Sequence, residues 1–67
     1  MSGVSPAEAM LKFFTYEHLP EHLRGVSKQC ADVARWMVDS LPPGPETTAG
    51  LRKLLEAKDC FVRAKLP

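Results

Sequence analysis

The residues best equipped for chemistry lie around the start of the first long apolar pattern. Arg24, Lys28 and Arg35 recur at i, i+4 and i+11, which places them on one stripe of a helix. Ser27 and Gln29 flank Lys28 and add hydrogen-bonding groups. Such a stripe is either a solvated face or an anion site, with cations and hydroxyls aimed at phosphate oxygens. Just upstream, Phe13, Phe14 and Tyr16 hold three of the five aromatic residues. They either dock a short arm or form a stacking platform for a nucleobase. An aromatic face beside Arg and Lys is how proteins hold unpaired bases. In an extended Phe14-Thr15-Tyr16 segment, Phe14 and Tyr16 share a face and Phe13 points away.

Other candidate groups carry less. Thr47 and Thr48 stand at a predicted helix start beside Gly44, where free amides and hydroxyls either begin the helix or bind phosphate. His18 and His22 have the i, i+4 spacing of a metal pair, but Pro20 separates them and no third ligand has a recognisable spacing. Cys30 and Cys60 read as reduced packing thiols, with a disulfide across the hairpin only weakly motivated. No His neighbours either Cys, so neither has the base a nucleophile needs. With no phosphate-binding glycine loop and no Ser/His/Asp set, the chain reads as a binding protein rather than an enzyme, with no cofactor.

The elements that must position these groups are helical. Ser5 and Pro6 open a short helix over 6–14, after a disordered tail at 1–5. It is too short to stand alone and is expected to dock through Met10, Phe13 and Phe14. A helix over 20–41 carries a near-heptad seam of Leu19, Leu23, Val26, Cys30, Val33, Met37 and Leu41, the pattern of lengthwise packing against a second helix. Ala31 and Ala34 allow close approach, and Trp36 widens the apolar face. Leu41-Pro42-Pro43-Gly44-Pro45 stops that helix and starts another over 45–65. The short connection implies an antiparallel hairpin. The fold class is therefore all-α, a single domain over 1–67.

The chain has 67 residues, a formal net charge of +1, and an apolar fraction of 45%. The near-balanced charge argues against DNA as partner. No run is apolar enough to span a membrane, and no signal peptide is read at the N-terminus. Chains under about 70–80 residues rarely close a sufficient core alone. Trp36, Leu55, Val62 and the arm aromatics extend the apolar surface beyond one seam, so a closed, symmetric oligomer is expected.

The strings FTYEHLPEH, SKQCADVA and LPPGPETTAGLRKLLEAKDCFVRA resemble the phage hairpin domain shared by anti-CBASS and anti-Thoeris sponge proteins. The likeness covers Phe14 to Leu66, and the shorter anti-CBASS branch is the better match. It rests on the F-T-Y segment ahead of a long helix, the Pro/Gly corner, and the run from Ala49 to Ala57. The resemblance implies a counter-defence protein in the cytoplasm of an infected bacterial host. Such proteins bind cyclic oligonucleotide messengers, for example cyclic GMP-AMP, and sequester them uncleaved between subunits of a homohexamer. It implies that Tyr16 stacks on a base and that Lys28, or Arg24 in its place, contacts phosphate. It also implies a second pocket type for cyclic trinucleotides, for which Gly25, Ser27, Thr48 and Arg52 are candidates. The competing readings are a small helical adaptor or inhibitor that covers a host protein with its apolar face, and a nucleic-acid-binding hairpin. The latter is weakest, because the Pro-rich corner differs from a helix-turn-helix turn.

Overall fold

The computed structural model describes residues 5–66 and shows three α-helices, one of them continued by a 3-10 turn. Residues 1–4, most of the predicted tail, lie outside the described residues. Ser5 is not tail: its hydroxyl accepts a hydrogen bond from the Glu8 amide at 3.1 Å and caps α1, Pro6–Ala9. Pro6 sits in the first turn, where its missing N–H costs nothing. The helix then tightens into a 3-10 segment, Met10–Phe14, a common way for a short helix to end. Thr15 closes it in extended conformation (φ −63°, ψ 146°).

The two long helices are α2, Glu21–Ser40, and α3, Pro45–Lys65. Pro20 supplies the start of α2, and its carbonyl accepts from the Leu23 amide at 2.9 Å. Leu41–Gly44 turns the chain, and the Thr47 hydroxyl donates to the Pro42 carbonyl at 2.9 Å across that corner. So few connecting residues force α3 back along α2 as an antiparallel hairpin. The arm, α1 with its 3-10 turn, packs on both long helices.

That third partner rotates the buried face of α2. The sequence places Val26 and Val33 on the seam, yet Val33 is exposed and Val26 half-buried. The buried stripe is instead Leu23, Ser27, Cys30 and Ala34. It keeps the 4, 3, 4 spacing but swaps two valines for two small residues. Small side chains there let the arm come close, and Phe14 sits 2% exposed in the core with Ala7, Cys30, Ala34 and Leu51. Phe13 does not dock as expected: it is 50% exposed, with the Lys12 ammonium 5.2 Å from its ring centroid. Leu41, Phe61 and Leu66 are likewise exposed, and Trp36 is 62% exposed. Among the described residues no helix is long and apolar enough to cross a membrane.

Candidate functional site

A cleft of about 260 Å³ opens between the connector and α2. Tyr16 and Phe14 line it from the arm side; Ala31, Asp32 and Arg35 line it from α2. Because Thr15 is extended, Phe14 and Tyr16 do share a side, while Phe13 belongs to a different cavity on the other side of the arm. Phe14 is spent on the core, and Tyr16 is left half-buried at the cleft. The Leu19 amide donates to the Tyr16 carbonyl at 3.1 Å, so a hydrogen-bonded turn fixes the connector that carries the ring.

The cations of the α2 stripe are placed differently from one another. Lys28 donates to Asp32 Oδ2 at 2.9 Å. That hydrogen bond and the Asp32 charge hold the Lys28 ammonium above its ordinary range, with a smaller electrostatic contribution from Tyr16. Lys28 is therefore a full cation at neutral pH, next to the Tyr16 cleft. Arg24 is occupied otherwise: its Nε donates to the Leu19 carbonyl at 2.8 Å and ties the connector to α2. Arg35 lines the cleft itself, 3.7 Å from Asp39. Sequence reasoning put Arg35 on the cationic stripe but not among the ligand residues. The signal was its place two turns beyond Lys28 on the same face.

The four candidates for a second pocket do not meet within one chain. Thr48 and Arg52 line a cavity of about 430 Å³ with Pro6, Gly44 and Pro45, near the corner. Ser27 lies toward the other end of the hairpin, against Lys58 and Val62. At 1.5 Å per residue, the antiparallel register separates these groups by roughly 15 Å. Gly25 is exposed, and a Cβ built there meets nothing within 4 Å.

Ser27 lines a cavity of about 440 Å³ with Lys12, Phe13, Thr15, His18, Lys58 and Arg63, among others. It is 0% exposed, and its hydroxyl has no hydrogen-bond partner. An unpaired buried hydroxyl costs about 1–3 kcal/mol. A further open groove of about 600 Å³ runs along Val26, Cys30, Val33, Leu54, Phe61 and Ala64, and is almost wholly apolar.

Cys30 is buried as expected, and burial pushes its thiol up, partly opposed by the Lys58 charge. Cys60 corrects the expectation of a packing thiol: it is exposed, and its Sγ accepts from Arg63 at 3.3 Å. The register explains this, because Leu51, Leu54 and Leu55 carry α3's contact with the core. Both thiols are free. Among the described residues, no three His, Cys, Asp or Glu side chains converge as a metal site, so His18 and His22 gain no third ligand. No family profile, curated protein or solved structure matches this chain.

Proposed function

We propose that this protein is a counter-defence sponge that binds cyclic oligonucleotide messengers such as cyclic GMP-AMP and holds them uncleaved. The observation that carries the reading is Tyr16, half-buried at a cleft shared with Arg35 and adjacent to Lys28. An aromatic face supplies sequence-tolerant stacking, and neighbouring cations supply phosphate contacts. Arg35 joins Lys28 as a phosphate contact, since Arg24 is engaged with the Leu19 carbonyl.

The cleft of about 260 Å³ takes a base and leaves the rest of a cyclic dinucleotide outside it. A second copy of the chain covers the remainder. The apolar groove along Val26, Val33 and Phe61, together with exposed Trp36 and Leu66, supplies contact area for such assembly. A homohexamer is the arrangement that the sequence resemblance implies. The test is a thermal-shift titration with cyclic GMP-AMP, alongside light scattering. Ligand at 100 times its dissociation constant adds about 2.7 kcal/mol of stability, which raises the melting temperature by several degrees. Light scattering showing a monomer at micromolar concentration, with no thermal shift, would favour the adaptor reading instead.

A further inference from the structure

The cavity on the far side of the arm from Tyr16 brings together an unusual set of groups. Lys12 and His18 come from the arm and connector, Ser27 from α2, and Lys58, Asp59 and Arg63 from the end of α3. Three cations, Lys12, Lys58 and Arg63, against the Asp59 carboxylate leave a formal local charge of +2, His18 not counted. Lys58 is paired with Asp59 at 3.1 Å, its side chain only 14% exposed. Arg63 reaches no carboxylate among the described residues, and its guanidinium donates to the Cys60 sulfur at 3.3 Å, a weak acceptor. Among the described residues Lys12 forms no ion pair, and its ammonium lies 5.2 Å from the Phe13 ring centroid.

Ser27 also lines this cationic cavity, and its hydroxyl is out of solvent and unpartnered. Buried polar groups are nearly always hydrogen-bonded, so an orphan of this kind calls for an acceptor or donor supplied from outside the chain. We propose that this cavity binds a compact phosphate dianion, either inorganic phosphate or the terminal phosphate of a monoester. The dianion matches the local charge. Lys12 and Arg63 hold its outer oxygens. The Lys58 ammonium turns from Asp59 toward the anion, and the Ser27 hydroxyl donates to the innermost oxygen. The Thr15 hydroxyl at the rim adds a further donor. Thr15 lines both this cavity and the Tyr16 cleft; the other groups named here belong to this cavity alone.

The test is a calorimetric titration of the full chain with inorganic phosphate and, separately, with adenosine 5′-monophosphate. Both are expected to saturate. Equal affinity identifies bare phosphate as the recognised group, and tighter monoester binding identifies the ester. Arg63→Gln and Lys12→Gln should each weaken binding about tenfold, the loss of one charge-assisted hydrogen bond. Ser27→Ala should weaken it by a similar factor while leaving the melting temperature unlowered, because it also removes the orphan hydroxyl. Asp59→Asn should tighten binding, a gain that misfolding cannot produce, and Lys53→Gln, outside the cavity, should change nothing. The proposal is overturned by failure of both probes to saturate, by unchanged affinity in Arg63→Gln or Ser27→Ala, or by Tyr16→Ala abolishing phosphate binding.

Discussion

Tyr16 and Arg35 line one cleft, the first from the connector and the second from the middle of α2. The relationship depends on Thr15 being extended and on Phe14 being anchored in the core, which together swing the Tyr16 ring toward α2. Lys28 and its partner Asp32 stand on the same side of α2, and Asp32 also lines the cleft. The cleft thereby presents an aromatic face and the Arg35 cation together with the carboxylates of Glu17 and Asp32.

Phe14 and Phe13 should respond oppositely to truncation. Phe14→Ala removes a ring that is 2% exposed and should cost about 3–5 kcal/mol. A core this small supplies no more than about that margin, so the variant should be largely unfolded in a chemical denaturation series. Phe13→Ala, at 50% exposure, should leave the denaturation midpoint nearly unchanged.

Gly25→Ala should stabilise the free protein by about 0.5–1 kcal/mol, since the new methyl meets nothing within 4 Å and helix interiors favour Ala. Thermal unfolding measures this directly. Gly25 is also one of the candidates for the second pocket that the family resemblance implies. A variant that is more stable yet loses cyclic-nucleotide binding would place a ligand or a neighbouring subunit against that position.

Cys30 makes stability depend on pH in the alkaline range. Burial raises its thiol above the ordinary value in the folded state, so the unfolded chain loses that proton first. Its contribution is complete below the unfolded thiol value of about 8.5 and is lost as pH rises through the higher folded value. As pH rises from the unfolded value of about 8.5 toward the folded one, wild type should therefore lose stability more steeply than Cys30→Ala, measured by denaturation from neutral to alkaline pH. Cys60, exposed, should react with a thiol reagent well before Cys30 in the native protein.

Helix limits were legible because proline and capping residues mark them chemically. Ser5-Pro6, Pro20, and the run from Leu41 to Pro45 set each boundary within a residue of where the sequence places it. The face of α2 was harder to read. A heptad pattern assumes one partner, and Leu23, Cys30 and Met37 satisfy that pattern whichever way the helix is turned. The arm is a second partner, and only the tertiary fit of Phe14 against small residues selects Ser27 and Ala34 over Val26 and Val33. The Tyr16 cleft was half legible for the same reason. The aromatic-cation proximity follows from local sequence, but the choice of Arg35 over Arg24 depends on how the connector folds back and on the Leu19 carbonyl that captures Arg24. The cavity beneath Lys58 brings the arm to the far end of α3, a contact that no local spacing encodes.

Lys28→Ala and Arg35→Ala should each weaken cyclic GMP-AMP binding about tenfold or more, since each removes a charge-assisted contact to phosphate. Both side chains are exposed and their ion pairs with Asp32 and Asp39 lie at the surface, where such pairs contribute little to stability. The melting temperature of the free protein should therefore stay unchanged in both variants.

The most direct measurement of the central claim is calorimetric titration of wild type, Tyr16→Phe and Tyr16→Ala with cyclic GMP-AMP, followed by recovery of the nucleotide. Stacking is worth about 1–3 kcal/mol per base, so wild type should bind saturably, Tyr16→Phe should keep most of the affinity, and Tyr16→Ala should lose roughly 10- to 100-fold. The recovered nucleotide should be chemically intact. Absence of binding to wild type, unchanged affinity in Tyr16→Ala, or recovery of a cleaved nucleotide would contradict the account.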